Sequence, residues 1–216
     1  MKKVFIHVGL HRTGTTFLQQ HVFPKLNANF IHVDAKDINK KLPIGTGINL
    51  LSSEYFSGAP LDFKNPNYGA TDRFDIADRL KQLYPDAKII LVGREYTSWK
   101  DSLYNQYVKS QGYITREHFN EQFDDNYTNF GVYIKYLEKL FGKDKVNILL
   151  YEELKINHQK FIDNICKIMC VQNIKVKNVI YNKSLTKGQE NILHVLRSIT
   201  DGMIKKIRFG MEMMNR

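Results

Sequence analysis

The sequence predicts an α/β fold with three layers, in which a central and mostly parallel β-sheet is covered by helices on both faces. Apolar runs such as KIILVG (88–93) lack the alternation of a half-exposed strand, which is typical of strands buried on both faces. These runs alternate along the chain with segments of helical periodicity, as in βαβ units. The chain has 216 residues, 43% of them hydrophobic, and we expect a single domain over residues 1–216.

The first elements are predicted to be a strand, a loop and a helix. Residues 3–9 are a short apolar run that ends at Gly9, as a buried strand does when it enters a tight turn. The loop 9–14 follows. From Thr15 onward apolar side chains recur at helical spacing, and Pro24 predicts an irregular end to this helix.

The rest of the chain continues the alternation. Apolar runs and helical periodicity predict strands at 30–33, 48–51, 88–93 and 146–151 and helices near 73–84, 97–111, 126–141 and 158–170. The segment 55–72, with glycine, proline and asparagine throughout, is predicted as a long loop. An amphipathic segment begins at Gln189 and precedes a basic end.

The charge balance favours an anionic partner. The net charge of +10 alone does not distinguish nucleic acid, an acidic membrane face, a phosphorylated cofactor and an anionic polysaccharide. No stretch reaches the roughly 18 apolar residues of a membrane span and the N-terminus lacks a signal-peptide pattern, so we expect a cytoplasmic protein. The two cysteines, Cys166 and Cys170, are expected to pack on a buried helix face.

Four segments are predicted to meet on one rim of the sheet. Ligands of parallel sheets bind at the carboxyl ends of the strands. This rule assigns Gly9–Thr16, Ser52–Glu54, Arg94 and Tyr151 to that rim, because each lies at or just past the end of a predicted strand. The rim is therefore the predicted functional site.

The loop GLHRTGTT (9–16) has nearly the spacing of a nucleotide-triphosphate loop, G-x-x-x-x-G-K-[ST]. Thr15 replaces the lysine that reaches the β and γ phosphates, and a positive charge stands earlier, at Arg12. The backbone amides of Thr13–Thr16 still point at an anion from a helix N-terminus. We therefore expect this loop to hold a phosphate, and it is poorly suited to magnesium-assisted transfer of a γ-phosphoryl group.

Residues Arg12-Thr13-Gly14-Thr15-Thr16 match the signature [KR]-[ST]-G-T-[ST] at every position, and so the chain resembles the sulfotransferases that use 3′-phosphoadenosine 5′-phosphosulfate (PAPS). In that family the loop binds the donor's 5′-phosphosulfate. HVGLHRTGTTFLQ (7–19) is similar to the bacterial carbohydrate-type branch. The resemblance implies a P-loop nucleotide-hydrolase-like fold, PAPS as donor, 3′-phosphoadenosine 5′-phosphate (PAP) as product and no required metal. It also implies that Phe17 stacks on adenine, although a core role is equally open.

A second family signature is a strand followed by an arginine and, eight residues later, a serine that begins a helix. Both residues bind the donor's 3′-phosphate in the family. Arg94 and Ser102 in KIILVGREYTSWKDSLY (88–104) match this pattern. Arginine offers phosphate a planar fork of donors, and the hydroxyl adds a neutral hydrogen bond. Pairing of Arg94 with Glu95 or Asp101 is the structural alternative.

Two later stretches also resemble the family. LLYEELKINHQKFIDNICKIMCV (149–171) is similar to a strand, a Tyr-Glu-[DE]-Leu motif and a helix, and this implies that Tyr151 lies near the adenine. NKSLTKGQ (182–189) resembles a loop that closes over the donor. That resemblance makes Lys187 and the backbone of Gly188 candidate contacts to the 3′-phosphate.

Sulfuryl transfer to a hydroxyl needs a base and a group that stabilises the leaving oxygen. Arg12 and the loop amides are expected to stabilise the leaving charge. Glu54 is the first choice for the base, because it follows a strand in LLSSEYFSG (50–58), a segment similar to one in the bacterial branch. A capping or surface role for Glu54 is the alternative. His11 is the second candidate, as a neutral base or an acceptor ligand.

These features predict a sulfotransferase that moves a sulfuryl group from PAPS to a hydroxyl or amine of a sugar or anionic glycan. A P-loop small-molecule kinase is one alternative, and the missing loop lysine argues against it. A nucleic-acid-binding module is another, because YNQYVKSQGY (104–113) mixes aromatic and basic residues. At helical spacing Tyr104 and Tyr107 are more typical of a core, and we expect no specific nucleic acid partner. His7 and His32 fall within strands and are expected to be core histidines.

Overall fold

The protein is described by a computed structural model over residues 2–58, 73–110, 114–121 and 129–177. Within these residues five parallel strands form one sheet in the order β2-β3-β1-β4-β5. The strands are β1 (Lys2–Val8), β2 (Asn29–His32), β3 (Gly47–Ser53), β4 (Lys88–Gly93) and β5 (Val146–Leu150). The predicted α/β fold with a central parallel sheet is therefore confirmed.

Helices follow most of the strands along the chain. They are α1 (Thr15–Phe17), α2 (Arg73–Leu83), α3 (Tyr96–Ser110), α4 (Arg116–Glu121), α5 (Phe130–Phe141), α6 (Tyr151–Ile156) and α7 (His158–Met169). Short 3₁₀ turns occur at Ala35–Asp37, Tyr55–Ser57 and Lys143–Lys145.

Two clusters of buried side chains cover the two faces of the sheet. Successive residues of β1 belong to different clusters, Phe5 to one and Ile6 to the other, because side chains alternate between the faces of a strand. The first cluster contains apolar side chains of α7, and the second contains those of α2 and α5. Burial on both faces explains why the strands read as continuous apolar runs and confirms the three layers.

The first helix is irregular, as Pro24 predicts. After α1 the chain continues as a π-helical segment, Leu18–Val22, and ends in a 3₁₀ turn, Phe23–Lys25. Gln19 of the π segment donates a hydrogen bond to Ser52 Oγ on β3 over 2.9 Å. The helix that follows the loop is thus tied to the neighbouring strand by a polar contact.

The sequence-based prediction was wrong about two short helices. It missed α4 and α6, since six residues are too few for helical periodicity to emerge. It also extended the last strand to Tyr151, whereas β5 ends at Leu150 and Tyr151 begins α6. Asn157 separates α6 from α7, and its side chain accepts the Lys160 backbone N–H over 3.0 Å. This cap explains why two helices stand where one was predicted.

The predictions for five core residues have mixed outcomes. Cys166 is buried as expected, but Cys170 is exposed because it ends α7 in the left-handed conformation, with φ 56°. His7 is fully buried, whereas His32 is exposed at the end of β2. Tyr104 is buried and its ring packs against Phe119, which supports a core role rather than a stacking surface for bases.

Residue contacts divide the chain into two compact units. Among the described residues, the first unit comprises 2–58, 73–100 and 129–177 and contains the whole sheet. The second comprises 101–110 and 114–121, where Arg116 forms an ion pair with Asp101 and lies over the Tyr104 ring. A single domain over residues 1–216 stays a prediction.

Candidate active site

The glycine loop packs tightly at both ends, so that a side chain on either glycine would require a neighbour to move. A Cβ on Gly9 would lie 2.8 Å from Thr15 Oγ1 and 3.2 Å from the Ser53 carbonyl oxygen. Gly14 has φ 83°, and a Cβ there would lie 2.8 Å from Leu154 Cδ2. Inside the loop, Thr13 Oγ1 donates to the Leu10 carbonyl over 2.6 Å. The spacing of the two glycines therefore reflects close approach by α1, β3 and α6.

Arg12 adopts a backbone conformation that side chains avoid. Its φ is 65°, in the left-handed region. Two donors from beyond β4 hold the carbonyls on this turn: Arg94 Nη1 donates to the Arg12 carbonyl over 2.7 Å, and Trp99 Nε1 donates to the His11 carbonyl over 2.8 Å. Strain of this kind persists where the surroundings fix it and is concentrated at functional sites. The loop is therefore held in shape by side chains of the Arg94–Trp99 segment.

Arg94 joins the loop to the start of α3. Its Nε and Nη2 donate to Ser98 Oγ over 3.0 and 2.8 Å, while its Nη1 bonds the loop carbonyl. The guanidinium lies over the Tyr151 ring, 4.7 Å from the centroid. Burial lowers the pKa of both Arg12 and Arg94, and the nearby Tyr151 opposes that shift. Both guanidiniums stay charged because arginine does not lose its proton in proteins.

Helix α6 contacts both the glycine loop and the segment that follows β4. Tyr151 and Leu154 contact Gly14 of the loop, and Glu152 Oε1 accepts the backbone N–H of Glu95 over 3.2 Å. Glu95 itself caps α3, because its carboxylate accepts the N–H groups of residues 97 and 98. These hydrogen bonds lower the pKa of the Glu95 carboxyl. The Tyr-Glu-Glu-Leu stretch thus supports the loop and the arginine together.

His11 and Glu54 face each other on the same rim. His11 Nε2 donates to the Gly58 carbonyl over 3.2 Å, and His11 Nδ1 lies 3.6 Å from Glu54 Oε2. The His11 side chain is 13% exposed and that of Glu54 is 33% exposed. Burial lowers the pKa of His11 and Arg12 lowers it further, while Glu54 and the Gly58 hydrogen bond raise it, with a net decrease. The pair combines a neutral imidazole with a carboxylate at the end of β3.

The structure brings most of the predicted site residues to one edge of the sheet. The loop from His11 to Thr16, Glu54, Arg94 and Tyr151 lie at the carboxyl ends of β1, β3, β4 and β5. Ser102 lies one helical turn after Ser98 in α3 and is buried. Phe17 is buried within the first hydrophobic cluster, the core role left open from the sequence. Lys187 and Gly188 fall outside the described residues.

Sequence reasoning missed several residues of this edge. Trp99, Ser98, Leu154 and the Gly58 carbonyl make contacts to the loop, to Arg94 or to His11. Arg94 lies two residues before α3 begins and Ser98 lies in the first turn of that helix, a short separation at which the two side chains meet. That spacing was a usable signal. Leu154 ends the Tyr-Glu-[DE]-Leu motif seen in the sequence, but nothing local marks Trp99 or the Gly58 carbonyl.

Two further features concern metal ions and membranes. No group of at least three His, Cys, Asp or Glu side chains among the described residues is arranged to hold a metal ion. None of the described helices combines the length and apolar character needed to cross a membrane.

The parallel sheet, the glycine loop at the end of β1 and the arginine after β4 define an enzyme of the P-loop-like class. Within that class the chain belongs to the sulfotransferases, because a family model described as a sulfotransferase domain matches residues 4–179. The chain is therefore a sulfuryl-transferring enzyme. Among the curated proteins, none matches this sequence significantly.

Solved structures of two sulfotransferases share the fold. A sulfotransferase from Alicyclobacillus acidocaldarius is 14% identical, with a TM-score of 0.59 and coverage of 91% of each chain. The mouse sulfotransferase SULT7A1, solved in complex with PAP, is 17% identical, with a TM-score of 0.54. That match covers 80% of this chain and 61% of the mouse chain. At these identities the likeness concerns the fold alone.

Proposed function

We propose that this enzyme transfers a sulfuryl group from PAPS to a hydroxyl or amine of a sugar or anionic glycan. One observation carries the proposal: Arg94 bonds the carbonyl of Arg12 in the glycine loop, and the Arg12 and Arg94 charges act on each other at the carboxyl edge of the sheet. Membership of the sulfotransferase family and the PAP bound to the mouse relative support the choice of donor.

The donor is proposed to lie along this edge with its two phosphate groups held separately. The backbone amides of the loop, Thr13–Thr16, hold the 5′-phosphosulfate together with Arg12. Arg94 and Ser102 hold the 3′-phosphate by a charge-assisted contact and a hydroxyl hydrogen bond. Ser102 is buried and follows Arg94 by eight residues, the spacing of the family signature.

The remaining donor contacts are proposed from the family motifs. Lys187 and the backbone of Gly188 add contacts to the 3′-phosphate from the late loop. Tyr151 is assigned to the adenine side, where an aromatic ring can stack on the base, whereas Phe17 is buried in the first hydrophobic cluster and keeps the core role. The Arg94 guanidinium already lies over the Tyr151 ring, so this ring is placed next to the proposed phosphate contact.

The transfer is an in-line displacement at sulfur. A lone pair of the acceptor oxygen or nitrogen forms the new bond to sulfur, and the bond from sulfur to the donor's phosphate oxygen breaks. That electron pair stays on the leaving phosphate, where Arg12 and the loop amides stabilise it. The acceptor's proton passes to a base on the rim, for which the sequence favours Glu54 with His11 as the second candidate. PAP and the sulfated acceptor are the products, and no metal is required.

The acceptor and the compartment are further parts of the proposal. The net charge of +10 suits an anionic glycan, and the resemblance of residues 7–19 to the carbohydrate-type branch favours a sugar. Both cysteines are free thiols, which suits the reducing cytoplasm. A panel of oligosaccharides, lipids, phenols and tyrosyl peptides incubated with labelled PAPS tests the acceptor class.

The test of the donor compares two nucleotides that differ only in the 3′-phosphate. We expect Arg94→Ala to weaken PAP binding by about tenfold to a hundredfold more than binding of adenosine 5′-phosphate, since a charge-assisted contact contributes about 1.5–3 kcal/mol. Loss of the hydrogen bond from Arg94 to the Arg12 carbonyl affects the binding of both nucleotides equally, so this effect cancels in the comparison. Isothermal titration calorimetry measures both affinities.

Arg79→Ala is the matched control, because Arg79 is an exposed arginine of α2 that bonds the Gln82 side chain and the Asn39 carbonyl. It is expected to leave both affinities unchanged. Equal weakening of the two nucleotides by Arg94→Ala would remove Arg94 from the 3′-phosphate site. Binding of ATP with magnesium but not of PAP would instead favour the kinase alternative.

A further inference from the structure

One nitrogen of the His11 ring donates a hydrogen bond, and the other carries a lone pair. A carbonyl oxygen only accepts hydrogen bonds, so the contact of Nε2 with the Gly58 carbonyl at 3.2 Å requires the proton on Nε2. In a neutral imidazole the other nitrogen, Nδ1, then carries a lone pair. No hydrogen bond reaches Nδ1 from the described residues, and its nearest ionic neighbour is Glu54 Oε2 at 3.6 Å. The backbone of the segment after β3 thus fixes the tautomer.

The surroundings of the ring favour a neutral His11 before the reaction, which can then accept a proton from the acceptor. Burial and the cation of Arg12 lower the pKa of His11, whereas Glu54 raises it. The Tyr55 ring meets His11 edge to face, with centroids 6.2 Å apart, and adds no charge. A proton on Nδ1 would face the Glu54 carboxylate directly, so the charged state formed during a reaction has its counter-ion in place.

We infer that His11 Nδ1 is the base that takes the acceptor's proton, and that Glu54 is the residue that stabilises the resulting imidazolium, with the Gly58 carbonyl as the orienting group. This inference rests on the proposed sulfuryl transfer and reverses the order of preference drawn from the sequence. The arrangement differs from a Ser-His-Asp triad, because the Gly58 carbonyl rather than a carboxylate holds the ring nitrogen that does not take the proton, and Glu54 acts by its charge alone.

The step balances without any additional reactant. The acceptor O–H bond breaks, its proton goes to His11 Nδ1, and the oxygen lone pair forms the bond to sulfur. The electron pair of the breaking bond between sulfur and the donor oxygen leaves with PAP. The imidazolium, hydrogen-bonded to Gly58 and paired with Glu54, returns its proton to solvent after the product leaves.

The first experiment reads the tautomer directly and needs no activity. Long-range ¹H–¹⁵N correlation spectra of the ¹⁵N-labelled full chain distinguish Nε2–H from Nδ1–H, and His11→Gln identifies the His11 signals by their loss. We expect the Nε2–H form at pH 7. An Nδ1–H form would make Glu54 the hydrogen-bond partner of that proton and would overturn the inference.

The second experiment follows the pH dependence of kcat/KM for sulfuryl transfer. We expect His11→Gln to lower kcat/KM by about a hundredfold to ten-thousandfold and to abolish the acidic limb. Glu54→Gln is expected to keep an acidic limb, shifted to lower pH, because loss of the carboxylate makes His11 easier to deprotonate. An acidic limb that survives in His11→Gln and disappears in Glu54→Gln would assign the base to Glu54 and overturn the inference.

His118 and Glu121 provide a matched control. Their side chains are also a His–Glu pair, with Nδ1 and Oε2 3.3 Å apart, but both are well exposed. Glu121→Gln is expected to leave the acidic limb and kcat/KM unchanged. PAP binding by the unmodified chain is measured first: if PAP does not bind, the proposed function fails, whereas PAP binding with an Nδ1–H tautomer contradicts this inference alone.

Discussion

Strand β1 and the loop that follows it are held by different means. Backbone pairing to β3 fixes β1 from Lys2 to Val8, and pairing to β4 fixes its second side from Phe5 to Val8. The loop 9–14 instead depends on donors that come from distant parts of the chain, Arg94 and Trp99. A strand needs only its own apolar pattern and its neighbours' backbone, whereas this loop needs particular side chains elsewhere.

The two histidines of this stretch illustrate the difference. His7, on β1, shares a hydrogen bond of 2.8 Å with Ser52 Oγ and packs edge to face against Phe23. Burial lowers its pKa to about 3. His11, in the loop, has a carboxylate and a guanidinium as neighbours. Burial lowers the pKa of both residues, so it is the charged neighbours, rather than the shift itself, that distinguish the candidate functional histidine.

The largest expected effect separates activity from stability in the loop. Arg12→Gly removes the guanidinium that we propose stabilises the leaving phosphate, and we expect sulfuryl transfer to slow by about a hundredfold to a thousandfold. Glycine accepts the φ of 65° without strain, and the carbonyl that Arg94 bonds is retained, so the free energy of unfolding is expected to stay within about 1 kcal/mol or to increase. Single-turnover rates and urea denaturation measure the two quantities.

A loss of stability that matched the loss of rate would contradict this separation and make Arg12 a structural residue. Arg79→Gly is not a suitable control because it lies within helix α2, where glycine is itself destabilising. Arg79→Ala serves instead, with both rate and stability expected to be unchanged.

The second prediction concerns His7, whose substitution is expected to change stability rather than the rate of transfer. Its pKa is about 3 when folded and near 6.5 when unfolded, so the unfolded chain binds the additional proton between these values. Stability is therefore lost as the pH falls below about 6.5, by about 2 kcal/mol between pH 7 and pH 5. His7→Asn lacks this titration and should lose about 2 kcal/mol less over the same interval. Urea denaturation at both pH values measures it, and equal losses in the two proteins would show that His7 is not the titrating group.

The third prediction concerns the hydrogen bonds that Arg94 and Trp99 donate to the loop carbonyls. Trp99→Phe keeps a buried ring but removes the N–H that bonds the His11 carbonyl, which leaves that carbonyl without its donor. We expect a loss of about 1 kcal/mol in the free energy of unfolding and a lower rate of transfer, because the His11–Arg12 turn becomes less rigid. An unchanged rate with lowered stability would limit Trp99 to the core.

The same contrast explains what could be predicted from the sequence. The strands were predictable because runs such as KIILVG carry their own signal, and the loop was found because the glycine spacing is local. The hydrogen bonds from Arg94 and Trp99 to the loop could not be predicted, because the carbonyls that accept them lie 82 and 88 residues earlier in the chain. The Nε2–H tautomer of His11 was equally hidden, because the Gly58 carbonyl that fixes it carries no side-chain information.

The smallest expected effect tests whether α6 shapes the loop. Gly14 and Gly47 have the same φ, 83°. A Cβ added at Gly14 would lie 2.8 Å from Leu154 Cδ2 and 3.3 Å from Tyr151 Cε2. Nothing lies within 4 Å of a Cβ added at Gly47, so only Gly14 is crowded. Alanine costs about 1 kcal/mol at either position for the left-handed conformation, so the difference between the two variants isolates the crowding. We expect Gly14→Ala to be less stable than Gly47→Ala by up to about 1 kcal/mol, since Leu154 can shift in part. PAP affinity should fall in Gly14→Ala alone, and equal affinities in the two variants would mean that contact with α6 does not set the shape of the loop.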